Sequence, residues 1–147
     1  MNEAGNKPVA RPALIGTGSA PTIAPGGSGQ LGTGPTTTLV GTGMAGEVTF
    51  TSGTGPSAFV ASTPVIVATV TLPAGLFQAA PYASCEPSNQ ALAQLECGGL
   101  TAGTQALCLY YDRAASSATS LVFKAVSQGT PTLGASTAYK FGYWING

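Results

Sequence analysis

The chain has 147 residues, enough for one domain with an appendage. Only 7% of them are charged, against about 25% in an ordinary soluble domain, and five basic side chains balance five acidic ones. A net charge of zero provides no long-range attraction toward nucleic acid or an anionic membrane, so neither is an expected partner. It also leaves copies of the chain with little mutual repulsion, which suits life in an assembly.

Residues 1–35 form one compositional unit, punctuated by Pro8, Pro12, Pro21, Pro25 and Pro35 and by seven glycines between Gly16 and Gly34. Proline removes backbone donors and glycine raises the entropy of ordering, so the segment is expected to form no regular element alone. It reads as an extended arm that lies along a partner, with Val9, Leu14, Ile15, Ile23 and Leu31 as sparse apolar anchors and Arg11 as a cationic contact. Extended at about 3.3 Å per residue, such an arm reaches roughly 100 Å. No apolar stretch of signal-peptide type follows Met1 to Lys7, so a secretory leader is not expected.

From Thr36 the pattern changes to short β-like runs separated by turns. Thr36–Val40 and Glu47–Thr51 are predicted strands, the second with Val48 and Phe50 on one face. Val65–Leu72 is a third, with Ile66, Ala68, Val70 and Leu72 assigned to the inner side. Tyr82–Cys85, Gln105–Asp112 and Thr119–Ser127 follow, and Leu107, Leu109 and Tyr111 share a face. Thr137–Ile145 places Tyr139, Phe141, Tyr143 and Ile145 inward and Lys140, Gly142 and Trp144 outward. A short helix over Gln90–Leu95 is predicted, capped by Ser88-Asn89 and stopped at Gly98-Gly99. Seven short strands over residues 36–147 predict an all-β fold, an antiparallel β-sandwich of jelly-roll or Ig-like type. Gly-Thr-Gly recurs at 16–18, 32–34, 41–43 and 53–55 with irregular spacing, which signals turns and close backbone approach rather than a solenoid.

Chemistry is sparse. With no histidine, Ser-His-Asp and Cys-His nucleophiles and the H-E-x-x-H metal motif are excluded. Glu86 and Glu96 are the only carboxylates close in sequence, beside the helical insertion, and read as solvated. Cys85, Cys97 and Cys108 form no C-x-x-C pair and lack an evident activating base; three reduced thiols are expected. No catalytic residue, metal site or cofactor is expected. Trp144, opposite the inward aromatics, is the expected surface contact, because an exposed tryptophan usually marks an interface.

Two stretches carry a resemblance. The first is Gly32-Thr-Gly-Pro35 with Leu39-Val-Gly-Thr-Gly-Met-Ala-Gly-Glu-Val-Thr-Phe-Thr-Ser-Gly-Thr-Gly-Pro56; the second is Thr137-Ala-Tyr-Lys-Phe-Gly-Tyr-Trp-Ile-Asn-Gly147. Together with Cys85-Glu-Pro-Ser-Asn-Gln-Ala91, they resemble a domain of tailed-bacteriophage virion proteins found in head decoration or cement proteins, head fibres and tail-fibre tips. The resemblance implies a β-sandwich knob, commonly a homotrimer, and a non-enzymatic structural role. The major capsid protein would then be the partner, and the location would be the capsid surface of a virion assembled in the host cytoplasm. The alternative it implies is a fibre tip that binds a host surface glycan. The residues around Gln90–Gly99 and the cysteines depart from that pattern.

Overall fold

The computed structural model describes residues 20–96 and 107–146. The described residues form eight strands and one short helix: β1 (Thr22–Pro25), β2 (Thr36–Gly41), β3 (Ala45–Thr51), β4 (Val65–Thr71), β5 (Ala83–Pro87), α1 (Gln90–Glu96), β6 (Leu107–Tyr111), β7 (Ser120–Ser127) and β8 (Ala138–Ile145). They build two four-stranded sheets, ordered β1-β4-β7-β6 and β2-β3-β8-β5, in which every pairing is antiparallel. The fold is thus an antiparallel β-sandwich. Only β2–β3 and β6–β7 are hairpins; the other connections cross between sheets, and β1 pairs with β4 rather than with β2 as in an immunoglobulin order.

The alternation read from the sequence sets which faces meet. Val48 and Phe50 of β3, and Tyr139, Phe141 and Tyr143 of β8, are all at most 5% exposed. They face Val70, Leu121, Phe123 and Leu109 of the other sheet across one continuous core. Phe123 is the hinge of this interior, with ring centroids 5.0 Å from Phe141, 5.5 Å from Tyr143 and 5.8 Å from Tyr111, all in tilted geometry.

Two expectations are corrected. The arm does not extend to residue 35. Thr22–Pro25 pairs with Thr71–Ala68 of β4, Ile23 packs against the core, and Leu31 is fully buried within it. Burying Leu31 and Ile23 in the chain's own interior removes more apolar surface from water than leaving them as exposed anchors. The sandwich therefore starts by Thr22. The second correction concerns β4: the register shifts between Ile66 and Ala68, so Val67 and Ala68 both turn inward and Ile66 is left 42% exposed. A bulge of this kind resets the strict alternation.

The two Gly-Thr-Gly-Pro copies at 32–35 and 53–56 clasp each other. Thr33 and Thr54 exchange backbone hydrogen bonds of 2.9 and 3.0 Å, and the Gly53 N–H donates to the Leu31 carbonyl at 2.8 Å. The backbones lie so close that a Cβ on Gly53 would come within 2.0 Å of the Thr33 carbonyl oxygen. Buried Ser52 ties the clasp to the start of β8: its hydroxyl donates to the Gly134 carbonyl and accepts the Thr137 N–H at 3.0 Å. The clasp brings Leu31 into the core.

Phe141→Ala is expected to lower the unfolding free energy by about 3–5 kcal/mol in denaturant titration. Gly53→Ala, at a buried position of the clasp with no side chain to lose, is expected to cost about 1–3 kcal/mol through backbone displacement alone.

Candidate functional site

The outer face of sheet β2-β3-β8-β5 carries the densest group of exposed functional side chains. On β8, outward positions alternate Lys140, Gly142, Trp144. The register places Trp144 between Ala45 and Ser84, and Gly142 between Glu47 and Glu86. Trp144 is 38% exposed, as its phase opposite the buried aromatics requires. Its small cross-strand neighbours leave part of the indole open, and a Cβ at Gly142 would meet no atom nearer than the Gly46 carbonyl oxygen at 4.0 Å. The result is a shallow slot over Gly142 with an aromatic wall at one end and two carboxylate-bearing strands at its sides.

The slot is held by polar contacts. Glu47 accepts from Ser88 Oγ at 2.9 Å and from Lys140 Nζ at 3.4 Å, in an ion pair whose partners are both about two-fifths exposed. Asn146 Nδ2 donates to Ser84 Oγ at 2.7 Å beside Trp144. Asn89 positions β5 and α1: its Oδ1 accepts the Leu92 N–H at 3.2 Å as a helix cap and the Lys140 N–H at 3.0 Å, while Nδ2 donates to the Ala138 carbonyl. Farther along, Tyr82 is 64% exposed with the Arg113 guanidinium 4.2 Å above its ring. Arg113 is held by Ala80, to whose carbonyl its Nε donates at 3.1 Å.

Asp112 caps the turn that presents Arg113, accepting the Ala114 and Ala115 N–H groups and pairing with Lys124 at 2.7 Å. The hydrogen bond from Lys124 holds the Asp112 carboxyl below its ordinary range and raises Lys124 in return. Among the described residues no three His, Cys, Asp or Glu side chains converge as a metal site would require. A small apolar void of about 20 Å³ inside the sandwich, lined by Leu31, Phe59, Val67 and Leu133 among others, offers no polar group.

Cys85 and Cys108 are free thiols in different settings. Cys85 packs against the core, and burial, aided by Glu96 and Cys108, pushes its thiol from 9.0 up to about 12. Cys108 is exposed. Burial likewise raises Tyr143 from 10.0 to about 12, and its hydroxyl donates to the Thr42 carbonyl at 2.7 Å.

Of the residues expected to contact a partner, Val9, Arg11, Leu14 and Ile15 lie outside the described residues, as does Cys97, expected to be a reduced thiol. Ile23 and Leu31 belong to the interior, and Trp144 stands on the surface. Sequence reasoning missed the slot beside Trp144. The alternation of β8 pointed to it, but the flanking Glu47 and Glu86 become neighbours only through strand register. Comparison with models of known families, with curated proteins and with solved structures finds no match for this chain.

Cys85 and Tyr143 both titrate above their unfolded values, so their contribution to stability is complete below pH 9 and lost as pH rises toward 12. Thermal unfolding followed by circular dichroism is expected to show a falling midpoint from about pH 9 upward. Peptide mapping after alkylation at pH 8 is expected to label Cys108 rapidly and Cys85 slowly.

Proposed function

We propose that the protein is a non-enzymatic structural protein of a tailed-bacteriophage virion, a capsid decoration or cement protein that binds the assembled shell through residues preceding the sandwich. The observation that carries this reading is where the resembling segments fall. The stretch from Leu39 to Pro56 supplies β3 and the second half of β2, and the stretch from Thr137 to Gly147 supplies β8; β3 and β8 are neighbours, with Val48 opposite Phe141 and Phe50 opposite Tyr139. The resemblance thus coincides with one physical unit, the aromatic half of the core, rather than with scattered low-complexity text.

The surface supports the same reading. Thr36, Thr38, Thr49 and Thr51 line the outer face of the β2–β3 ribbon, with Glu47 already paired to Lys140. Such a surface approaches another neutral protein surface without a large desolvation cost. A protein that binds only the assembled shell stabilises that state by mass action, and several copies acting together multiply the effect. The segment that would reach the shell is residues 1–19, because β1 and Leu31 are needed by the sandwich itself.

A second reading, a fibre tip that binds a host surface glycan, is favoured by one feature: partly exposed Trp144 beside a slot flanked by Glu47 and Glu86. Sugar rings stack on indole faces, and carboxylates accept hydrogen bonds from sugar hydroxyls.

The discriminating experiment compares a chain lacking residues 2–19 with Trp144→Ala. The virion reading expects the truncated chain to stay folded and lose rebinding to purified phage heads, with Trp144→Ala unchanged on a glycan array. Undiminished rebinding by the truncated chain contradicts that reading; an array signal abolished by Trp144→Ala selects the second.

A further inference from the structure

Among the described residues the two sheets have four edge strands, β1, β6, β2 and β5. An exposed edge is a template for pairing, and proteins blunt edges they do not use. Three of these four are blunted, by outward prolines, by capping side chains or by a covering helix.

In β1, the Gly26 N–H bonds to the Val67 carbonyl, so even-numbered residues point their backbone groups at β4 and odd-numbered ones point outward. Those outward positions include Pro21 and Pro25, which carry no N–H. In β6, Cys108 and Tyr110 face β7 and the amides of Leu109 and Tyr111 point outward. Glu96 accepts the Leu109 N–H at 3.2 Å, and the Tyr111 N–H is aimed at the Cys85 sulfur. In β5, the outward position at the end is Pro87, after which the chain turns into α1, and α1 packs against β5, β6 and β8 to close that side.

β2 shares only one of these devices, Pro35 just before its first residue, and has none along its length. Its sequence, Thr36-Thr-Thr-Leu-Val-Gly41, contains no proline and no charge. The Thr42 N–H bonds to the Ala45 carbonyl at 2.8 Å, which fixes the phase: Val40, Thr38 and Thr36 bond to β3, and Gly41, Leu39 and Thr37 present their backbone groups outward. β1 lies near β2 from the facing sheet but exchanges no backbone hydrogen bond with it. Two side-chain observations mark the same strand as incomplete. Val40 is the most exposed large apolar residue described, at 74%. Among the described residues, Thr37 Oγ1 is a buried side-chain polar atom without a hydrogen-bond partner.

We propose that β2 is a homotypic docking edge, pairing antiparallel with β2 of a second copy across a two-fold axis to join two sheets into one. The phase allows this in a register centred on Leu39: Leu39 opposes Leu39 of the second copy, and Thr37 opposes Gly41 on each side, so that outward-pointing groups meet outward-pointing groups. On the outer face Val40 then lies opposite Thr38 of the second copy, a β-branched pair that covers the exposed valine. Self-pairing brings no like charges together, because β2 has none and the whole chain is neutral. The same edges argue for two copies rather than the trimer that the resemblance implies. A head-to-tail ring needs β2 to meet a different open edge, and the others are blunted; only an isologous pair uses one edge twice. This inference is independent of the virion reading.

The test is sedimentation equilibrium of the full chain from micromolar to millimolar concentration, with two double variants on the solvent face of β2. The wild type is expected to approach twice the chain mass. Thr38→Lys with Val40→Lys places lysines directly opposite across the axis and is expected to halve the apparent mass at the same concentrations. Thr38→Glu with Val40→Lys pairs opposite charges in the same register and is expected to keep the dimer. Circular dichroism melting of both variants checks that the sandwich is intact; neither position is buried. A wild type that is monomeric at every concentration, a trimer, or a dimer indifferent to both variants would overturn the proposal. So would a monomer in which removing residues 2–19 accelerates amide exchange at Thr37 and Leu39, which would give the edge to the chain's own leading segment.

Discussion

Phe123 touches Phe141 and Tyr143 from across the sandwich, and these three rings are the contact through which the two sheets know each other. β7 and β8 are interior strands of their respective sheets, so each passes this contact to two hydrogen-bonded neighbours. Aromatic rings in tilted geometry bury large apolar areas and fix relative orientation, which aliphatic contacts do less sharply. In a chain with 7% charged residues, few ion pairs are available to define the fold, and the burden falls on this interior and on the backbone. The polar ends of Tyr143 and of two further tyrosines of the core extend the control outward. Tyr143 reaches the Thr42 carbonyl in the β2–β3 turn, Tyr139 accepts the Gly134 N–H, and Tyr111 reaches the Pro81 carbonyl ahead of β5. Side chains anchored in one core thereby place three of the surface loops.

Glycine and proline, abundant enough to suggest disorder, serve this architecture in specific ways. Glycine at 32 and 53 lets two backbones touch in the Gly-Thr-Gly-Pro clasp, which delivers Leu31 to the core. Proline at 21, 25 and 87 stands at outward positions of edge strands, where a missing N–H costs nothing and denies a foreign strand's carbonyl its donor. The neutral surface makes such devices necessary, since the common alternative, lysine on an edge, is hardly used in this composition. It also makes the unguarded β2 edge conspicuous.

How much of this was legible in the sequence follows from what each signal measures. Alternation is a two-residue property, so β3, β6 and β8 and their faces could be read directly, including the outward phase of Trp144. The helix was legible because Asn89 and the break before Gln90 are local. β1 was not, because its prolines read as breakers; that a proline is harmless at an edge depends on which side of the strand is paired, a tertiary fact. Ile66 was misassigned because one bulge inverts the phase, and nothing in Val65-Ile-Val-Ala-Thr-Val marks where it falls. The slot over Gly142 arises between segments tens of residues apart, and the capping of β6 by Glu96 spans 13 residues, both beyond any local pattern.

The most direct test of the account's centre is amide hydrogen exchange resolved by strand, on the wild type and on Phe123→Leu. If the three-ring contact couples the sheets, the variant will speed exchange in β7 and β8 together, and in their paired neighbours β4 and β3, by a common factor. Faster exchange confined to β7 and its own sheet, with β3 and β8 unchanged, would contradict it.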